Sequence, residues 1–166
     1  MEKSQFWFYL VKSHFLIFVG FFFFLHILIQ LPFLWFDFNE SDNILNNSTV
    51  ELMEQDGKLV VLYWTLLIGP FIETFLFQFF IIKIFRLISK RLWTMVFIAI
   101  PLSAVLFSLS HSYSVYYQVA AFFVGLIYAT AFFVGMYRKD LPAFLIVLII
   151  HSSWNLFAFV MNELTV

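Results

Sequence analysis

Residues 59–82 read LVVLYWTLLIGPFIETFLFQFFII, an apolar run with one carboxylic acid, Glu73, near its centre. The chain has ten acidic residues. The others fall at the N-terminus, in a polar stretch, in a turn beside a basic pair, or near the C-terminus. A carboxyl at membrane depth is costly, so it marks a functional site and needs named partners. Two histidines in other apolar runs, His111 and His151, are the candidates.

The whole chain supports that depth. Its 166 residues are 63% hydrophobic and 23% aromatic, with 26 Phe, and only 11% are charged. A soluble domain of this size would leave a very large apolar patch in water. The composition predicts an all-α, polytopic membrane helical bundle. A net charge of −1 gives no sign of a nucleic-acid partner, and the lack of cysteine excludes disulfides, thiolate catalysis and Cys-ligated metal. The first apolar run follows Lys3 and Lys12 as a signal peptide would. It is too long for a cleaved segment and has no small-residue cleavage site, so it reads as a retained helix.

A helix crosses the ~30 Å hydrocarbon core in about 20 residues. Five spans fit, at roughly 15–36, 59–82, 93–112, 115–137 and 141–161. The connections alternate in charge. Lys3 and Lys12 precede the first span, and a polar loop over 37–58 holds Asp37, Glu40, Asp42, Glu51, Glu54 and Asp56 against Lys58. Lys83, Arg86, Lys90 and Arg91 follow, then an uncharged connection around Ser112, then Arg138 and Lys139, and finally Glu163. Basic residues on alternate connections place the N-terminus in the cytoplasm, in a bacterial plasma membrane protein, and the C-terminus outside. The chain reads as one membrane domain, 1–166, with 15–36 an accessory span and 59–161 a catalytic helical core. Small residues in the fourth span, Ala121, Gly125, Ala129, Ala131 and Gly135, read as a close-packing face.

The second span continues to Ile88, about 45 Å at 1.5 Å per residue, longer than the bilayer core. The spacing therefore predicts a break near Gly69-Pro70, because proline lacks the N–H an α-helix needs. A helix restarting there would hold Glu73 in its first turn, where the dipole favours a carboxylate.

Three short patterns stand on three spans: Glu73-Thr74-Phe75-Leu76-Phe77-Gln78, Phe107-Ser108-Leu109-Ser110-His111, and His151-Ser152-Ser153-Trp154-Asn155. In the last two the key residues are four apart, on one helix face. Together they offer one Glu, two His and one Asn, which can polarise a water molecule and bind an oxyanion. Taken singly, a membrane His or Asn is more often an interhelical hydrogen bond, and His14 and the His26/Gln30 stripe of the first span are left in that class.

The ordered patterns resemble the CPBP intramembrane protease family, which includes CAAX prenyl endopeptidases of the Rce1 type and bacterial bacteriocin-processing and immunity (Abi) proteins. The family pattern is Glu-Glu-x-x-x-Arg, then Phe-x-x-x-His, then His-x-x-x-Asn or Asp. The second is met by Phe107/His111 and the third by His151/Asn155. The resemblance covers about 69–155 and implies a glutamate-dependent endopeptidase. Glu73, aided by His111, would activate water, and His151 and Asn155 would hold the oxyanion. The substrate would be a peptide or protein at the membrane, including lipid-modified ones. Thr74 and Gln78 depart from the pattern, replacing its second Glu and its Arg. These two lost charges are four apart, so the change reads as a matched neutral replacement of an ion pair. No cofactor is expected. Zinc on Glu73, His111 and His151 is the less favoured option, because His-Glu-x-x-His spacing is lacking. Two other readings compete: a catalytically inactive interaction or immunity protein of the same fold, and a bis-His haem protein.

Overall fold

The computed structural model describes residues 5–36, 57–112 and 114–165. The polar loop expected over 37–58 lies outside them, apart from Gly57 and Lys58, as does the Glu163 side chain. Among the described residues every regular element is helical. A short amphipathic helix α1 (Gln5–Lys12) precedes α2 (Phe15–Phe36). Then come α3 (Lys58–Ile88), α4 (Leu92–Leu109), α5 (Val115–Gly135) and α6 (Ala143–Thr165). Helices α2 to α6 are each long and apolar enough to cross a membrane, as the sequence predicts.

Helix α5 is the centre of the bundle. In it 67% of residues are buried, against 17–33% in the other four spans, so their exposed Leu, Ile and Phe side chains face lipid. The small-residue stripe explains the position. A Cβ at Gly125 would lie 2.9 Å from Ala104 Cα and 3.2 Å from Ala104 O, so only glycine lets α4 and α5 approach this closely. Ala121, Ala129, Ala131 and Gly135 are buried along the same helix.

The break expected in α3 takes the form of a register change, with helical dihedrals throughout. Trp64–Ile68 forms a wide π-helical turn, in which Gly69 N–H bonds to Trp64 O. Pro70 follows at the start of the next α-helical stretch, Gly69–Glu73. Because the helix runs through this point, no free amide end faces Glu73. The expected help from a helix dipole is therefore lost. A second wide stretch covers Thr74–Phe80, and a third, Met95–Ala99, lies in α4. Such turns free carbonyls for neighbours, and Ser103 Oγ donates to Phe77 O at 2.8 Å, tying α4 to α3.

One polar lock joins the N-terminal segment to the far end of α5. The Arg138 guanidinium donates to Leu10 O and Ser13 O, both at 2.7 Å, and lies over the Phe18 ring at 4.6 Å. It also meets the Asp140 carboxylate. Arg86 lies over the Tyr137 ring at 6.0 Å. The α1 end, the α3 end and the α5–α6 turn thus share one side of the bundle, which agrees with the alternation of basic connections.

Candidate active site

Glu73 lies midway along α3, and its carboxylate faces two imidazoles from other helices. Glu73 Oε2 is 3.8 Å from His111 Nε2, at the end of α4, and 3.5 Å from His151 Nε2, on α6. Both separations exceed the usual hydrogen-bond length, a spacing that a bridging water or substrate atom closes.

The Phe107-to-His111 spacing has a local cause. At the C-terminal end of α4, His111 N–H turns to Ser108 O at 3.0 Å, so the Phe107 carbonyl loses its regular backbone donor. His111 Nδ1–H donates to that carbonyl at 2.8 Å. This leaves Nε2 of a neutral ring as the acceptor, turned toward Glu73. The Phe107 ring supports the same imidazole, with centroids 4.4 Å apart, and meets His151 edge-on at 6.0 Å. Phe107 therefore fixes both the tautomer and the plane of His111.

Asn155 is held by the Gly69-Pro70 device. Gly69 N–H is spent on Trp64 O and Pro70 has no N–H, so neither following donor reaches the Thr65 carbonyl. Asn155 Nδ2 donates to Thr65 O at 2.8 Å. Its amide carries a second N–H, one helical turn from His151.

Thr74 and Gln78 lie together on the inward side of α3, both fully buried. Thr74 Oγ1 and both polar atoms of the Gln78 amide have no hydrogen-bond partner. The neutral replacement therefore sits in the protein interior, where a lone charge would be costly.

Two residues that the sequence reading did not place in the site lie beside it. His26, from α2, is 1% exposed, and Tyr128, from α5, is completely buried. Their side chains meet at 3.2 Å through Tyr128 Oη and His26 Nδ1. The Tyr128 ring lies 4.7 Å from that of His151. The four-residue spacing of His26 and Gln30 was the available signal. What it lacked was knowledge that α2 packs beside α6. A cavity of about 60 Å³ opens here, lined by both of these residues with His111, His151 and Asn155. Glu73 is across the imidazoles from it. Among the described residues no three His, Cys, Asp or Glu side chains are grouped to hold a metal ion.

A family model for type II CAAX prenyl endopeptidase Rce1-like proteins matches residues 55–157, more than half of the chain. The chain belongs to this family. It is an integral, multi-pass membrane protein of a protease family, and the matched stretch contains Glu73, His111, His151 and Asn155. No curated protein and no solved structure gives a match. The family match ends where α6 still continues, and it leaves α1 and α2 outside.

Proposed function

We propose that the protein is an intramembrane endopeptidase that hydrolyses a peptide bond with water activated by Glu73 and His111. The observation that carries this reading is the approach of one carboxylate oxygen to both His111 Nε2 and His151 Nε2, within 3.8 Å, from three helices. Water placed between Glu73 and His111 would lose a proton to this pair as it attacks the scissile carbonyl. His151 and the second amide hydrogen of Asn155 would donate to the oxyanion, a contribution worth ~10²–10³ in rate for one such donor. The leaving amine would take the proton back from Glu73 or His111. No step requires a metal. The substrate is a peptide or protein segment at the membrane, including lipid-modified ones, approached from the outer half of the bilayer. We place the N-terminus in the cytoplasm of a bacterial cell.

One observation favours a second reading. The neutral, unpartnered Thr74 and Gln78 stand where the family pattern has Glu and Arg, as a non-catalytic immunity or interaction protein of this fold could tolerate. Membrane peptides from cells carrying wild type or Glu73→Gln separate the two. A peptide that accumulates only with Glu73→Gln establishes the protease. Identical peptide profiles, with any immunity phenotype retained, establish the interaction protein. Activity that resists chelators and is lost in His111→Ala supports the metal-free mechanism, whereas loss to a chelator with rescue by zinc overturns it.

A further inference from the structure

The cavity beside the histidines has a wall that the proposed chemistry does not use. His26 brings it from α2, outside the family match. Its ring is stacked on Trp154, with centroids 4.0 Å apart and planes 20° apart. Tyr128 takes Nδ1, and the buried Nε2 has no partner. Facing the same cavity, His151 has its Nε2 turned to Glu73 and its buried Nδ1 without a partner. A purely packing histidine would not leave a second nitrogen stranded beside another stranded nitrogen, because burial of an unpaired polar atom is costly.

The two nitrogens differ in what they offer. A carboxylate at Glu73 draws the His151 proton to Nε2, leaving Nδ1 an acceptor. When the Tyr128 hydroxyl donates to His26 Nδ1, His26 Nε2–H becomes a donor. The small side chains of Ala120 and Ala121 make the room. A cavity of about 60 Å³ is the share of two water molecules at roughly 30 Å³ each. It suits a hydroxyl or carboxamide and excludes a branched aliphatic or aromatic side chain.

We propose that His26, with His151, forms a subsite for an uncharged substrate side chain that both donates and accepts hydrogen bonds: Ser, Thr, Asn or Gln next to the scissile bond. The proposal rests on the endopeptidase reading for its substrate. It also makes the first span part of the site, where the sequence alone gives it an accessory role.

The test uses the full chain in lipid nanodiscs with ¹⁵N-labelled histidine rings and two probes of equal size. Acetamide donates and accepts; acetone only accepts. Acetamide should shift the ring nitrogens of His26 and His151 saturably. It should bind roughly two- to tenfold more tightly than acetone, the worth of one net hydrogen bond. Ala120→Leu, which fills the cavity, should abolish the response. His26→Phe keeps the stacked ring and should lose the acetamide preference at His151. Equal responses to both probes, no response to either (a cavity that holds only water), or a response that survives both substitutions overturns the subsite.

A degenerate peptide pool supplies the second arm. Cleaved peptides should be enriched in Ser, Thr, Asn or Gln at one position beside the cut, and His26→Phe should remove that enrichment. Cleavage with no such enrichment overturns the subsite and leaves the protease standing. Acetamide binding without any cleavage sinks the protease and leaves the cavity's chemistry in place.

Discussion

Asn155 illustrates how one side chain here carries two duties. Its amide closes the carbonyl that Pro70 leaves open, at Thr65 O, and is proposed to present its other hydrogen to the oxyanion. Asn155→Ala should therefore lower thermal stability as well as turnover, because a buried carbonyl left unpaired costs about 1–3 kcal/mol. Melting in detergent alongside peptide cleavage measures both; a rate loss with an unchanged melting point would show that the Thr65 bond contributes nothing. The Thr74/Gln78 pair makes a sharper test. Both side chains are completely buried, so Thr74→Glu or Gln78→Arg alone introduces a charge with no opposite partner. Thr74→Glu with Gln78→Arg should restore much of the loss, with a coupling on the order of 0.5–3 kcal/mol. Additive melting shifts would refute the idea that the two positions once held an ion pair.

At the scale of helices, close contact between α4 and α5 depends on a missing side chain. Gly125→Val places atoms against the Ala104 backbone, where nothing flexible can yield, and should cost about 1–3 kcal/mol as overpacking. Because α4 ends at His111, the same substitution should also slow peptide cleavage. A stable, fully active Gly125→Val protein would show that the helices separate freely. Helix number, length and the small-residue face were legible in the sequence because hydropathy and period-four spacing depend only on local composition. So was the convergence of Glu73, His111 and His151, since the spacing fixed a face on each helix. The form of the α3 interruption was not. Proline predicts a lost hydrogen bond, but whether the chain unwinds or widens depends on outside donors such as Asn155 and Ser103, which tertiary packing supplies. His26 was missed for a related reason: a four-residue polar stripe does not reveal which helix it meets.

For the molecule as a whole, Arg138 is the tie between its beginning and its end. The guanidinium is nearly inaccessible, at 2% exposure, and it closes carbonyls left open where α1 ends. Arg138→Ala should release α1, detected as faster proteolysis near Ser13, with a loss of about 1.5–3 kcal/mol per charged hydrogen bond removed. Its partner Asp140 lies outside the spans, and the Arg138 hydrogen bond holds its carboxyl below the ordinary range. A depressed carboxyl stabilises the fold at neutral pH, and that contribution disappears as pH falls through its folded value. The effect is small for so exposed a group; protection of α1 should weaken only in acid, and weakening on the alkaline side of neutrality would contradict the assignment. The lock also sets an order of assembly. Helix α2 packs chiefly on α5 and α6, and Arg138 is synthesised 125 residues after Ser13. The first span to leave the ribosome must therefore wait in the bilayer for partners that emerge last. Nascent chains halted before α5 should leave Ser13 and His26 open to crosslinking by lipid or by the insertion machinery, and that access should close once α6 has been released.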